Sequence, residues 1–223
     1  MKTRNINKDG QPASKQTKLD RFAISSLASK ATLLWNLIYA LFNGIMGAYY
    51  RSFWFISMAA WNLIIGALRA FLLFTSKSVR DQKKTAGKGI CMLAIVLSGI
   101  VCMGIAEQQN PVKETVVMIA LATYTFTTLI YAAISALKAH RRKEDRAVIE
   151  RDLSLVISIG SLLSLERGML GTFGDASDNF TFLMEAVSGA AAFLMIIAIG
   201  ISLMVGRQIS QDKTDISSEK ESN

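Results

Sequence analysis

FWFISMAAWNLIIGALRAFLLFT, residues 53–75, decides the fold class of this chain. Apart from Arg69 it carries no charge, and Ser57, Asn62 and Thr75 are its only other polar residues. A helix needs roughly 20 apolar residues to cross a hydrocarbon core of about 30 Å. The stretch lacks the period-two alternation of a membrane β-strand. It therefore predicts a transmembrane helix.

Five further apolar blocks of similar length lie at 31–50, 89–106, 115–137, 153–171 and 180–206. Both prolines, Pro12 and Pro111, fall outside the blocks. In lipid every backbone polar group must be satisfied inside its own segment, which an unbroken helix achieves. The sequence therefore predicts an all-α membrane protein whose domain, residues 31–206, contains six transmembrane helices.

Basic residues are concentrated in alternate linkers. The tail 1–30 and the linkers after the second and fourth blocks hold eighteen Lys and Arg, whereas the opposite side holds only Arg51 and Lys113. The positive-inside rule then places both termini in the cytoplasm. The net charge of +8 thus reports orientation and contact with anionic lipids at the cytoplasmic face. We expect no nucleic-acid partner, because no soluble module is present to bind one.

The two tails receive separate predictions. Within residues 15–30, Leu19, Phe22, Ala23 and Leu27 share one helical face among charges, which suits a short interfacial helix. A solvated tail before the first span fits the same residues. Residues 207–223 are polar and predicted to form a disordered cytoplasmic tail.

Charged and amide side chains inside the spans are the candidate functional residues, because intramembrane charge is costly. Asn62 and Arg69 share a face of the second span. Arg69 either extends to the headgroups near the cytoplasmic end or faces the bundle and meets an anion or a partner side chain. Glu166 and Arg167 in the fifth span lie at a similar depth to Glu185 in the sixth.

We predict an Arg167–Glu185 ion pair, with Glu166 facing the same cavity or the outer interface. The pair is interpreted either as part of a site or as a structural clasp without a ligand. The candidate substrate or ion pathway consists of five residues: Asn62, Arg69, Glu166, Arg167 and Glu185. Asn36 and Asn43 in the first span, and the hydroxyls Thr123, Thr127, Thr128 and Tyr131 in the fourth, fit helix packing and, less directly, a polar pathway.

Catalytic and metal-binding residues are not indicated. His140 is the single histidine and lies in a linker, so we expect no metal site and no cofactor. Cys91 and Cys102 lie in one span, about 16 Å apart along the helix, too far to bridge. An acid catalyst built on Glu166 and Glu185 has no supporting motif. We expect a protein that is not an enzyme, and without a phosphate-binding loop it would not hydrolyse ATP.

An internal repeat is one option for the six spans. Residues 37–40 (LIYA) recur at 129–132, and the second and fifth spans each contain an arginine, Arg69 and Arg167. Two inverted three-helix repeats would produce this arrangement. However, residues 35–38 (WNLI) also recur at 61–64, in adjacent antiparallel spans, so such short matches carry little weight.

Three segments resemble a group of uncharacterised small six-span membrane proteins of low-GC Gram-positive bacteria: GIMGAYYRSFWFISMAAWNLIIGALRAFLL (44–73), TYTFTTLIYA (123–132) and ERGMLGTFG (166–174). The resemblance covers most of residues 31–206. It implies a multi-pass protein of a bacterial plasma membrane and no particular activity.

The sequence leaves two functions open. The six spans and their internal charges fit a small-solute or ion transporter or channel. The basic linkers and small-residue patches also fit an accessory or sensory protein that acts through lipids, a second copy of itself or a membrane partner.

Overall fold

The computed structural model describes the backbone of residues 13–75, 79–107, 115–142, 145–173 and 178–205, and most of their side chains from Ala31 onward. Over these ranges the regular structure is entirely helical. The helices are α1 (Ala13–Tyr50), α2 (Phe53–Phe74), α3 (Val79–Glu107), α4 (Thr115–Arg142), α5 (Asp145–Phe173) and α6 (Asp178–Val205). Each is long and apolar enough to cross a membrane, which confirms the predicted fold class.

Several helices extend beyond their apolar blocks. α3 begins at Val79, before its predicted span, and α4 and α5 include most of the charged linker between them. Lys, Arg and Glu favour helices, so the helix continues past the hydrocarbon boundary. α1 is already helical from Ala13, so the predicted interfacial helix is continuous with the first span, and its place at the membrane surface stays a prediction. The predicted tail 207–223 lies outside the described residues.

A tight turn joins α1 to α2. Arg51 has a left-handed backbone with φ of 52°, and the Ser52 N–H donates to the Gly47 carbonyl at 3.1 Å, as in a Schellman C-cap. A Cβ at Gly47 would lie 2.6 Å from Ile56 Cγ1 and 2.9 Å from the Ile56 backbone nitrogen. Glycine at this position therefore permits the close approach of the two helices.

Helix pairs α2–α5 and α3–α6 pack antiparallel. Arg69 near the end of α2 contacts Ser154 near the start of α5, whereas Trp54 at the start of α2 contacts Arg167 near the end of α5. In the other pair, Gly87 lies beside Met204. We call the end of the bundle that contains the α2–α3 and α4–α5 connections the basic end.

The bundle is apolar on its outside, and its largely apolar interior also holds a set of buried polar side chains. Leu41, Ile130 and Leu194 are each more than 60% exposed on its periphery. α5 is the most enclosed span, with 61% of the residues in an 18-residue apolar stretch buried. α1 packs on α2 as α4 packs on α5, and α3 and α6 pack on each other. This pattern is compatible with two equivalent halves, but the inverted repeat stays a prediction.

Candidate functional site

A series of buried polar side chains runs along one side of α5. Its members recur every three or four residues, so they lie above one another on the helix: Ser154, Ser158, Ser161, Ser164 and Arg167. All five are classed as buried, with at most 5% exposure. We call this set the α5 polar series. It runs from the basic end to the opposite end of the bundle.

Its middle part bonds to α4. Thr125 Oγ1 donates to the Ser161 carbonyl at 3.1 Å, and Ser158 Oγ lies 3.1 Å from the Thr128 carbonyl. The hydroxyls of Thr128 and Ser161 are 2.9 Å apart. Interhelical hydroxyl bonds in membranes contribute about 0.6–2 kcal/mol each. These contacts fix the register of α4 against α5.

A second group of polar side chains joins α1, α2 and α4 near the middle of the bundle. The Tyr124 hydroxyl is 3.2 Å from Asn62 Oδ1 and 3.4 Å from Asn36 Oδ1. Asn62 Nδ2 donates to the Met58 carbonyl at 2.7 Å. The Tyr124 ring stacks on Tyr39, with centroids 3.3 Å apart. We call Asn36, Asn62 and Tyr124 the amide cluster.

Four buried polar atoms around these groups have no hydrogen-bonding partner within the described part of the chain. They are Asn36 Nδ2, the Tyr39 hydroxyl, Asn43 Oδ1 and Ser164 Oγ. The Tyr39 hydroxyl faces the side chains of Asn43 and Ser164, without a hydrogen bond of standard geometry. Unsatisfied polar groups are costly in an apolar interior. A water or a polar ligand between α1 and α5 would satisfy them.

Arg69 faces the bundle at the basic end rather than the headgroups. It is 3% exposed, and its Nη2 donates to Ser154 Oγ at 2.8 Å. The Tyr131 hydroxyl donates to Glu150 Oε1 at 2.7 Å, and the Glu150 carboxylate interacts electrostatically with Arg69. Arg69, Tyr131, Glu150 and Ser154 form what we call the Arg69 cluster.

Arg167 lies in a cluster of direct partners at the opposite end, and the predicted ion pair is confirmed. Its Nη1 lies 3.0 Å from both carboxylate oxygens of Glu185. Its Nη2 donates to the Gly104 carbonyl at 2.8 Å, and its Cζ lies 4.7 Å from the Trp54 ring centroid. A Cβ at Gly104 would lie 2.7 Å from Arg167 Nη1, so this position has no room for a side chain.

A small cavity adjoins the Arg167 cluster. It is lined by Trp54, Val101, Leu163, Glu166, Arg167, Glu185 and Ser188 and encloses about 10 Å³. That volume suits about one water molecule. Glu166 therefore faces the same cavity as the ion pair, and its buried Oε1 lacks a protein hydrogen bond.

No family model, curated protein or solved structure matches this chain. Its function must therefore be argued from the arrangement of its own residues.

The five predicted pathway residues lie at three levels of the bundle rather than around one cavity. Asn62 lies in the amide cluster, Arg69 at the basic end, and Glu166, Arg167 and Glu185 at the opposite end. The α5 polar series links these levels. In the described residues no group of three or more His, Cys, Asp or Glu side chains forms a metal site.

Sequence reasoning missed Trp54, Gly104 and Glu150 as members of these clusters. A tryptophan or a glycine in an apolar block has no pattern that marks it as an arginine partner. Glu150 lies in a charge-rich linker, outside the predicted spans. For Glu150 a signal did exist: once the helix is continued to Asp145, Glu150 lies four residues before Ser154, on the face of the polar series.

Proposed function

We propose that this chain is a membrane transporter that moves a small polar solute or ion along the α5 polar series. The observation that carries the proposal is the series itself, which occupies residues 154–167 of the most enclosed span, about 20 Å of helix rise. Helix association requires only a few polar contacts. A polar series through the enclosed part of the bundle, with a hydroxyl at Ser164 that is unpartnered among the described residues beside the equally unpartnered Tyr39 and Asn43 atoms, supports a pathway.

The bundle would be in a closed state in this arrangement. The cavity beside Arg167 has room for about one water, and Arg69 is buried at the other end. Alternating-access transporters open one end of the bundle at a time around a site near the middle of the membrane. The amide cluster lies between the two arginine clusters, so it is the proposed central site.

Cysteine accessibility tests the pathway without knowledge of the substrate. In a background with Cys91→Ala and Cys102→Ala, Ser164→Cys is the central variant, because Ser164 Oγ has no hydrogen bond to lose. A membrane-impermeant thiol reagent modifies a thiolate, which forms in water and not in lipid. Leu162→Cys, two residues away and 44% exposed at the periphery, is the matched lipid-facing control.

We expect the reagent to modify Ser164→Cys in membranes and to leave Leu162→Cys unmodified. Modification from only one side at a time would match alternating access. If neither Ser164→Cys nor Ser158→Cys reacts from either side, water does not enter the series and the transport proposal fails.

A second candidate function is an accessory protein that does not transport. The observation that favours it is the set of direct partners around Arg167, a carboxylate, a carbonyl and an aromatic ring, which is what a structural clasp requires. In this case the α5 polar series would only hold the helices together. Failure of the labelling experiment would support this candidate, and recovery of a second copy or another membrane protein by crosslinking would support it directly.

We also propose that the basic end faces the cytoplasm of a bacterial plasma membrane and contacts anionic lipids. The support is the bias of Lys and Arg to this end and the resemblance to small bacterial six-span proteins. Reporter fusions at Lys84 and Lys143 should then read cytoplasmic, and a fusion at Asn110 external. The opposite pattern would reverse the orientation.

A further inference from the structure

Two buried arginines occupy comparable places near the ends of α2 and α5, but their partners differ. Arg167 has a carboxylate, a backbone carbonyl and an aromatic ring around it. Arg69 has one neutral hydrogen bond, to Ser154. Its Nε and Nη1 atoms have no hydrogen-bonding partner within the described part of the chain. Arg167 leaves only its Nε without a hydrogen bond among the described residues and pairs directly with a carboxylate, whereas Arg69 leaves both a terminal and the inner donor over, and no carboxylate of these residues pairs with it directly.

The charge on Arg69 is also incompletely balanced. A guanidinium stays protonated in proteins, and a buried charge is costly unless it is paired. Glu150 is the nearby acid, yet its Oε1 accepts the Tyr131 hydroxyl, and no carboxylate of the described residues forms an ion pair with Arg69. Arg69 is therefore a buried cation without a direct ion pair among the described residues, which favours the binding of an external negative group.

Packing on α2 is loose near Arg69. Gly66 lies about one turn before it on the same face of α2. A Cβ built at Gly66 would have one neighbour within 4 Å, Leu33 Cδ1 at 3.7 Å. By contrast, the glycine beside Arg167 is enclosed by Trp54 and the arginine itself.

We propose that Arg69 binds a small oxyanion, a carboxylate or phosphate group, with Ser154 holding the guanidinium in position. Guanidinium groups favour such anions because their planar N–H donors match the oxygen geometry. Identifying this anion as the transported cargo rests on the proposed function; the binding itself does not. The Tyr131–Glu150 hydrogen bond keeps the competing carboxylate away from the free donors.

The oxyanion at Arg69 has two possible sources, a soluble anion or the headgroup of an anionic lipid. Arg69 lies three residues before Leu72, where the span ends, so a headgroup at the basic end is near. Thermal unfolding of the full chain in nanodiscs separates the sources. One arm uses phosphatidylcholine discs with sodium acetate, phosphate or chloride at matched ionic strength. The other compares phosphatidylcholine discs with discs containing phosphatidylglycerol.

We expect acetate or phosphate, at about 100 times its Kd, to raise the midpoint by about 5 °C or more relative to chloride. Arg69→Lys should lose most of this shift, since Lys keeps the charge but lacks the planar fork. Arg167→Lys is the matched control and should keep the shift although its starting midpoint is lower. A shift seen only with phosphatidylglycerol, and lost in Arg69→Lys, would identify a lipid as the ligand.

Glu150→Gln should have the opposite effect to Arg69→Lys, because it should strengthen anion binding. Removing the competing charge should lower the acetate or phosphate concentration needed for half of the shift by several-fold. Equal shifts in the parent and Arg69→Lys, or equal responses to chloride and the oxyanions, would overturn the anion site. Binding with no labelling of Ser164→Cys would leave the anion site standing and remove only its role as cargo.

Discussion

Gly104→Ala is the substitution whose effect the structure defines most closely. The added methyl carbon would lie 2.6 Å from Trp54 Cε3, 2.7 Å from Arg167 Nη1 and 2.8 Å from Trp54 Cζ3. Real carbon atoms do not approach so closely, so the indole or the guanidinium must move. Either movement weakens the cation–π contact and disturbs the Arg167–Glu185 pair.

The expected magnitude combines three terms. Overpacking a tight site costs about 1–3 kcal/mol. Loss of a desolvated cation–π contact adds about 2 kcal/mol. Alanine in place of glycine in a helix gains about 0.5–1 kcal/mol. The net loss is about 2–4.5 kcal/mol, which lowers a melting midpoint by about 4–18 °C for a chain of this size.

Gly99→Ala is the matched control. Gly99 lies in the same helix, and a Cβ there would have no neighbour within 4 Å. Its midpoint should stay at or slightly above that of the parent. The assay is thermal unfolding in detergent, followed by tryptophan fluorescence, which also reports a displaced Trp54. If Gly104→Ala melts at the same temperature as Gly99→Ala, the described packing around Arg167 is wrong.

Substitutions in three other parts of the fold are tested by the same assay. Arg167→Gln and Glu185→Gln should each cost about 3–5 kcal/mol, and the double variant clearly less than their sum; additive losses would contradict a coupled pair. Arg51→Gly should stabilise by about 0.5–1 kcal/mol because its backbone is left-handed, whereas Arg51→Ala should give no gain. Gly200→Ala places a carbon 2.6 Å from Cys91 Sγ and should cost about 1–3 kcal/mol, with Cys91→Ala restoring part of the loss; no loss would contradict the α3–α6 packing.

The sequence predicted the fold class because lipid imposes a simple requirement on length and polarity. It also predicted the Arg167–Glu185 pair, since a short connection between adjacent antiparallel helices places both residues at one depth. The ends of the helices were predicted less well. Hydropathy detects where lipid ends, whereas a charged helix such as the start of α3 continues into water.

The Arg69 cluster could not be predicted in the same way. Arg69 and Ser154 are 85 residues apart, and their contact depends on α2 packing against α5 rather than on any shared connection. The face of α2 that turns inward depends on the rotation of the helix about its axis. Because α2 has apolar side chains on all sides, its sequence does not specify that rotation. Asn62 and Arg69 marked one face as polar, but the sequence left open whether that face met lipid headgroups or another helix.

The contrast between the two arginines has a simple origin if the halves are inverted repeats. α2 and α5 would then be equivalent and antiparallel, so each arginine near a helix end reaches the start of the other helix, as Arg69 and Arg167 do. The third helices of the two halves, α3 and α6, differ, however. In α6 an acid, Glu185, precedes Ser188-Gly189 by three residues, whereas in α3 the residue three before Ser98-Gly99 is Ile95. Only the second half therefore supplies a carboxylate that pairs directly with its arginine, whereas the acid of the Arg69 cluster, Glu150, accepts the Tyr131 hydroxyl instead.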